Sequence, residues 1–359
     1  MPEVTLDDVL WIDDGEPLGE IFCLTFIKDV DETEALSRLG GLPDTLRPRT
    51  LEEASEAYLS YDAGYPEFAF ALRLGAWTVL IEPDGFQGSL TEPLTALSRG
   101  TEAVVVQRHD YADHAFRYAV DGILVTGFEP TWPDQRWGSD PDRLLEQMRV
   151  AGLVPDEDDY LSEAYVPALL LAGLITGTVP TPEALTGELL SAEIDSWFSA
   201  APPSLGHGPT DPAMIAAIES APPHLLRAVA AGEAMRLASV LGLEGTPGLA
   251  EAVAAAERGE PADVVPDSEL GRHVRSWNRR ARQASRSLNE APSRMSDDER
   301  NLGYMLGWFT DALHAALWPD PRAAARAVLY PLTQGPPLLR DPARETAVLA
   351  LLRDGTESR

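Results

Sequence analysis

The stretch FRYAVDGILVTGF, residues 116–128, predicts two antiparallel strands joined by a tight turn. In its first half, large apolar side chains alternate with Arg117 and Ala119, a period of two that is typical of a strand with one buried face. Asp121 and Gly122 follow, and this pair favours the positive backbone φ angles that the tightest hairpin turns require. The apolar run Ile123–Phe128 then returns as the partner strand. This hairpin predicts an antiparallel sheet.

The residues around the hairpin add further strands and several helices to this sheet. Short apolar runs of strand length occur at 21–27, 68–74, 76–82 and 103–106. Asp31 begins a helix pattern that ends at Gly40, and Thr50 with Glu53 forms a capping box that opens another. Further helix patterns cover 91–98, 139–151 and 162–176. The first half of the chain therefore predicts an α+β domain, an antiparallel sheet with helices.

A change of pattern divides the chain near residue 200. Pro, Gly and Ser crowd residues 199–212, and no apolar period crosses them, which is typical of a linker. Beyond it the patterns are helical, at 212–220, 223–241, 249–258, 270–288, 297–318, 321–332 and 342–353. We therefore predict an α+β domain over 1–198, a linker over 199–212 and an all-α domain over 213–359.

Four segments of the first half carry a resemblance to a known family. They are FCLTFIKDVDETEALSRLGG at 22–41, WTVLIEPDGFQGS at 77–89, FRYAVDGILVTGFEP at 116–130 and LITGTVPTPEALTG at 174–187. In this order they resemble an uncharacterised actinobacterial family, one of the domains of unknown function, over about residues 21–190. The resemblance implies an α+β domain and no particular activity. The helical half lies outside it.

The charge of the chain limits its partners. Its 58 acidic residues outnumber 28 basic ones, for a formal net charge of −30. A field of this sign repels nucleic acid phosphates, so we expect no DNA or RNA partner. The longest apolar stretch, 165–179, is shorter than a membrane span and contains glycine and proline, so we expect no membrane contact either.

The single cysteine and the start of the chain both favour a cytoplasmic protein. Cys23 lies inside an apolar run, which predicts a buried thiol without a disulfide partner in the chain. The first residues lack a charged segment followed by an apolar one, so we expect no signal peptide. The sequence contains no recognisable cofactor motif, and we expect no cofactor.

Residues 270–288 predict a helix with two opposed faces. Apolar side chains recur every three or four residues along one side, and arginines recur in the same way along the other. We call the second set the arginine face: Arg272, Arg275, Arg279, Arg282 and Arg286. Guanidinium groups bind carboxylates and phosphates through paired hydrogen bonds, so this face is a candidate docking surface for an acidic partner. The alternative is a face that neutralises an acidic surface of the same chain.

The apolar side of the same helix predicts a close helix contact. It includes Ala281 and Ala284 and is therefore thin. A thin stripe suits packing against another helix, and the pattern at 297–318 offers Gly303 and Gly307 on one face. We expect these two helices to meet there.

A second candidate site is the segment DGFQGS, residues 84–89, which we call the glycine loop. It lies between a strand and a helix, where backbone N–H groups bind phosphate in other proteins. Asp84 and Phe86 belong to it, and Trp77 begins the preceding strand, so these residues are candidates for a pocket. The loop lacks the lysine of a nucleotide-binding loop, and an ordinary turn with a helix cap is the alternative.

The third candidate is a cluster of titratable residues after a strand, His109 and Asp110 followed by Asp113 and His114. Imidazole and carboxylate groups ligate metals or act as an acid–base pair. The spacing suits neither one helix face nor one strand face, so we predict exposed histidines and no metal site.

These observations leave two functions open. The absence of a recognisable catalytic motif and the acidic composition favour a non-enzymatic cytoplasmic interaction protein, regulatory or immunity-like. It would bind a protein partner through its acidic surface, its arginine face or both. The alternative is a small-molecule-binding protein or hydrolytic enzyme with its site near residues 84–89 and 109–114.

Overall fold

The computed structural model describes residues 4–13, 15–109, 114–154, 164–202, 208–262, 264–289 and 294–357. These residues divide into two units. Met1–Ser60 and Pro66–Pro202 form the first, which we call the sheet unit, and Tyr61–Tyr65 and Pro203–Arg359 form the second, the helical unit. Tyr61–Tyr65 belongs to the helical unit although residues of the sheet unit precede and follow it in the sequence.

One antiparallel sheet forms the centre of the sheet unit. Its nine described strands are β1 Ile21–Lys28, β2 Arg47–Arg49, β3 Glu67–Leu74, β4 Trp77–Pro83, β5 Glu102–His109, β6 Ala115–Val120, β7 Ile123–Phe128, β8 Arg136–Trp137 and β9 Leu189–Ile194. They lie in the order β2-β9-β3-β4-β1-β5-β6-β7-β8, and neighbouring strands are antiparallel. The predicted α+β class with an antiparallel sheet is confirmed.

The hairpin of β6 and β7 forms as its sequence predicts. Asp121 and Gly122 adopt φ angles of 48° and 77°, the left-handed values that this two-residue turn requires. The Asp121 carboxylate also accepts a hydrogen bond of 2.9 Å from the Gly100 N–H, which ties the turn to the segment before β5. The register shifts between Tyr118 and Ala119, an irregularity that the alternating pattern does not reveal.

The helices of the sheet unit begin at residues that cap them. They are α1 Glu32–Leu39, α2 Leu51–Tyr58, α3 Thr91–Leu97, α4 Leu145–Val150, α5 Tyr165–Thr176 and α6 Pro182–Leu185. The Asp31 side chain accepts from the Glu34 N–H at 2.8 Å, and Gly40 ends α1 in the left-handed conformation. Thr50 and Glu53 form the reciprocal capping box that opens α2. Both predicted helix starts are confirmed.

Helices cover both faces of the sheet. Phe22 and Phe26 of β1 join a core that includes α5, whereas Cys23 and Ile27 join a second core that includes α1. Because both faces of β1 are buried, the strand has a continuous apolar sequence rather than an alternating one. Cys23 is fully buried, as its position in this run predicts.

Four elements of the sheet unit differ from the prediction, and one of them is the two-residue edge strand β8, which no strand pattern indicates. Strands β2 and β9 carry no clear strand pattern, and Pro48 lies in β2 at the sheet edge, where proline is tolerated. The helix predicted over 139–151 is wrong in its first part, since α4 begins only at Leu145. Before it, Asp142 pairs with Arg136 at 2.9 Å within a series of turns.

The helical unit consists mainly of helices, as predicted. They are α7 Pro212–Ser220, α8 Pro223–Val240, α9 Leu249–Arg258, α10 Glu269–Arg286, α11 Asp297–Ala316, α12 Pro321–Val328, α13 Tyr330–Gln334 and α14 Pro342–Glu357. The single helix expected over 321–332 is interrupted at Leu329, two residues before Pro331, which has no N–H for a continuous helix. Within the described part of the chain, no helix is both long and apolar enough to cross a membrane.

Helices α10 and α11 pack closely through their small residues. A methyl group added to Gly303 would lie 2.5 Å from Cβ of Ala284 and 2.9 Å from the carbonyl oxygen of Arg280. At Gly307 the nearest atom would be Cβ of Ala281, at 3.3 Å. Only glycine permits this approach at position 303, so the predicted contact between the two helices is confirmed.

Candidate functional site

The glycine loop binds a carboxyl group that belongs to the chain itself. Glu82 lies near the end of β4 and is fully buried. Its Oε2 atom accepts a hydrogen bond of 2.7 Å from the Gln87 N–H, and its Oε1 atom accepts one of 2.8 Å from the Gly88 N–H. The two N–H groups that suggested a phosphate site are therefore occupied by a side-chain carboxyl.

Burial controls the protonation of this carboxyl. Desolvation raises the pKa of Glu82 to about 7, although the hydrogen bonds from Gly88 and Gln87 act in the opposite direction. Gly88 must be a glycine, because an added methyl group would collide with Oγ1 of Thr25 and would lie 2.9 Å from Oε1 of Glu82. The loop is thus closely packed onto the carboxyl beneath it.

The other candidates near the glycine loop are separated from one another. Trp77 is buried at the start of β4, where Lys28 Nζ lies 5.8 Å from its ring centroid. The length of β4, about 20 Å at 3.3 Å per residue, separates Trp77 from the loop. Asp84 has a φ of 56° and donates its N–H to the Ile21 carbonyl at 3.0 Å, while Phe86 is 41% exposed. The structure does not bring Trp77 to the loop.

His109 and His114 do meet, through a backbone contact. The Nδ1 atom of His114 accepts a hydrogen bond of 3.2 Å from the His109 N–H, and its ring lies against Tyr165 with 5.8 Å between centroids. Asp110 and Asp113 lie outside the described residues. Among the residues that are described, no group of three or more His, Cys, Asp or Glu side chains could hold a metal ion.

The sheet register places the histidines and the glycine loop at the same end of the sheet. His109 is opposite Ile21 across the β1–β5 pair, and the Asp84 N–H bonds to Ile21 from the other side. The two segments are thus two strand spacings apart, about 10 Å. At this end, the carboxyl of Glu82 and the Nδ1 atom of His114 bond to backbone N–H groups.

The arginine face lies on α10, and part of it contacts Tyr61–Tyr65. Arg279 donates to the Asp62 carbonyl, and Arg282 Nε donates to the Gly64 carbonyl at 3.3 Å. The guanidinium of Arg286 lies 5.7 Å from the ring centroid of Tyr65. The partners described for these three arginines are two carbonyl oxygens and an aromatic ring.

The rest of the arginine face is also engaged. Arg272 donates to the Asp267 carbonyl near the start of α10, and Arg275 also takes part in an interaction. The carboxylate of Asp62 pairs with Arg294, outside the face, at 3.2 Å. All five arginines therefore have partners within the chain, while Arg272 and Arg279 keep exposed side chains.

A cavity of about 600 Å³ lies within the helical unit, lined by residues of α10, α11, α12 and α13. Four large aromatic side chains form much of its wall, Tyr304, Trp308, Trp318 and Tyr330. Its polar lining residues include Ser285, Asp311 and His314, and most of the others are small. We call it the aromatic cavity. Its volume lies in the range of about 300–1,000 Å³ that is typical of small-molecule sites.

The aromatic rings of the cavity are held by one another. The rings of Trp308 and Tyr330 stack with centroids 5.3 Å apart and an interplanar angle of 26°. His314 and Trp318 meet edge to face at 6.0 Å and 77°. Burial lowers the pKa of His314 to about 4, so its imidazole is neutral at pH 7. Asp311, by contrast, is exposed and brings a carboxyl group to the lining.

None of the candidate residues chosen from the sequence lines this cavity. Yet α11 carried a signal, because Tyr304, Trp308 and Asp311, followed by Ala315 and Trp318, recur every three or four residues. The prediction for this helix concerned only Gly303 and Gly307, and Gly307 also lines the cavity. The buried side of the helix, with Leu306, Phe309 and Leu313, contributes to the core. The sequence therefore did contain an indication of a site: α11 has an aromatic stripe in addition to the apolar face that packs in the core.

Comparison with known families concerns the sheet unit. Residues 2–192 match the model of a family of unknown function, DUF6461, and this match covers more than half of the chain. The chain belongs to DUF6461. The DUF6461 region contains the glycine loop, His109 and His114, and it ends within β9. The aromatic cavity and the arginine face lie outside the DUF6461 match. No curated protein and no solved structure is similar enough to the chain to match it.

Proposed function

We propose that this protein is a binding protein that holds a small, largely apolar molecule in the aromatic cavity. The observation that carries this proposal is the cavity itself, about 600 Å³ in volume and walled by the stacked rings of Trp308 and Tyr330. Ligand sites in proteins combine apolar and aromatic walls with a few polar groups that fix orientation. Ser285, Asp311 and His314 supply such groups here.

The glycine loop and the histidines give less support to the hydrolytic alternative. Their register places them at one end of the sheet, but the carboxyl of Glu82 and Nδ1 of His114 bond to backbone N–H groups there. A ligand would have to displace these intramolecular bonds. The aromatic cavity leaves space for a ligand beside its rings, and we therefore place the small-molecule site there.

The proposal is tested with the neutral fluorophore N-phenyl-1-naphthylamine, titrated into the full chain. We expect a saturable increase in its emission, and Trp308→Ala should weaken binding about tenfold because it removes the largest stacking surface. Leu302→Ala is the matched control, since Leu302 is exposed on the same helix and does not line the cavity. Absence of binding by the folded wild-type chain, or equal binding by Trp308→Ala, would contradict the proposal.

A second proposed function is the binding of a protein partner in the cytoplasm through the arginine face. The exposed side chains of Arg272 and Arg279 on α10 favour an acidic segment as the partner. Poly-L-glutamate is a suitable probe. We expect salt-sensitive binding that Arg272→Glu weakens and that Arg340→Glu, an exposed arginine of another segment, leaves unchanged. Equal weakening by both variants would exclude a role for this face.

A further inference from the structure

The walls of the aromatic cavity favour a positively charged guest. The faces of tryptophan and tyrosine rings are electron-rich, and they attract ammonium groups within about 6 Å of their centroids. The cavity has four such rings, and two of them, Trp308 and Tyr330, are fixed against each other by stacking. A neutral apolar ligand would gain from burial against these rings, but it would not gain the electrostatic attraction that the ring faces offer to a cation.

The charged groups that line the cavity also favour a positively charged ligand. Among the described residues that line it, none is a lysine or an arginine, and Asp311 contributes a carboxyl group. His314 adds no positive charge at pH 7, because burial lowers its pKa to about 4. The lining therefore stabilises a cation and offers an anion no charged partner.

The two arginines that directly follow lining residues of α10 in the sequence make contacts elsewhere. Arg282 and Arg286 lie next in sequence to the lining residues Ala281 and Ser285. Their guanidinium groups are held by the Gly64 carbonyl and the Tyr65 ring, and neither arginine lines the cavity. In addition, the net charge of −30 raises the local concentration of cations around the whole chain.

We infer that the aromatic cavity binds an organic cation, a molecule with one ammonium group and an apolar body. The inference rests on the proposed small-molecule function and names its ligand class. The rings surround the ammonium group and its apolar substituents, and the Asp311 carboxylate balances the charge from the exposed side. No covalent step is involved.

Three probes with the same phenyl ring test this inference, each titrated into the full chain by calorimetry. They are phenyltrimethylammonium, its neutral isostere tert-butylbenzene and the anion benzenesulfonate. We expect the cation to bind about tenfold more tightly than tert-butylbenzene, the ratio typical of a partly desolvated cation–π site, and benzenesulfonate to bind most weakly. Asp311→Asn should reduce binding of the cation about fivefold and leave tert-butylbenzene unchanged.

The outcomes separate the inference from the proposed function. If tert-butylbenzene binds as tightly as the cation, the organic-cation inference is overturned while the small-molecule function stands. If none of the three probes binds to the folded chain, both are overturned. Asp298→Asn is the control for Asp311→Asn, because Asp298 is exposed on the same helix and does not line the cavity. Equal effects of the two substitutions would show that Asp311 acts only through net charge, against the inference.

Discussion

The glycine loop and the aromatic cavity differ in the space that each leaves for a ligand. In the loop, the Gln87 and Gly88 N–H groups bind the buried carboxyl of Glu82, at 2.7 and 2.8 Å. In the cavity, rings and a carboxyl group line about 600 Å³ of space. The loop has a sequence typical of a ligand site, whereas the sequence indicates the cavity only through an aromatic stripe on α11. A motif therefore indicates binding chemistry, but the fold decides whether the chain itself uses that chemistry.

Removing the internal carboxyl group of Glu82 is the strongest test of this difference. We expect Glu82→Ala to lower the free energy of unfolding of the sheet unit by about 3 kcal/mol, because two buried N–H groups lose their acceptor. Added formate should restore part of the loss by entering the vacated position. Chemical denaturation with and without formate measures both effects. Glu56→Ala, at an exposed position of α2, is the control and should change little. A neutral effect of Glu82→Ala would mean that the carboxyl does not hold the loop.

The protonation of Glu82 gives a second test. Its pKa rises from 4.5 unfolded to about 7 folded, so the protonated form favours folding. The stabilisation that the protonated carboxyl gives to the folded state is fully present below the unfolded pKa of 4.5, and it is lost as the pH rises through 7. Relative to Glu82→Gln, the wild type should therefore lose roughly 2–3 kcal/mol of unfolding free energy when the pH is raised from 5 to 8. Parallel pH profiles of the two proteins would contradict this account.

The contact between α10 and α11, which supplies part of the cavity wall, gives a third test. Gly303→Ala should destabilise the helical unit by about 2 kcal/mol, since the new methyl group would lie 2.5 Å from Cβ of Ala284. Gly307→Ala is the matched control, with 3.3 Å to Cβ of Ala281 and a gain in helix propensity, and should change stability by less than about 1 kcal/mol. Similar thermal shifts for both variants would show that the helices do not approach closely.

The smallest expected effect concerns the arginine face, which resembles the glycine loop in being used within the chain. Gly64 has a φ of +84°, and an added methyl group would collide with the side chain of Arg279. We expect Gly64→Ala to cost about 1 kcal/mol of unfolding free energy in the helical unit. Gly245→Ala is the control, because no atom lies within 4 Å of its added methyl group. An unchanged stability would indicate that the contact with Tyr61–Tyr65 contributes nothing.

Local signals explain what the sequence predicted of the fold. The Asp121-Gly122 turn, the Thr50 capping box and the small faces around Gly303 depend on residues near one another in the chain, and all three are confirmed. Strand β9 was missed because it is defined by its pairing with β2 and β3, a long-range property. For the same reason no local pattern assigns Tyr61–Tyr65 to the helical unit.

The candidate site was harder to predict than the fold. Trp308 and Trp318 share an aromatic stripe of α11 that sequence alone does not distinguish from a core face. Tyr330, on a short helix after a break at Leu329, stacks on Trp308 and supplies part of the cavity wall. Glu82 gave no signal either, since its burial follows from the loop that folds over it.

The most direct test of the account compares the two regions with one ligand. Calorimetric titration of phenyltrimethylammonium should give the same affinity for the wild type and for Glu82→Gln, and an affinity at least about tenfold lower for Trp308→Ala. That result would place binding in the aromatic cavity and exclude the glycine loop. Undiminished binding by folded Trp308→Ala, or a loss of binding in Glu82→Gln alone, would contradict the central claim.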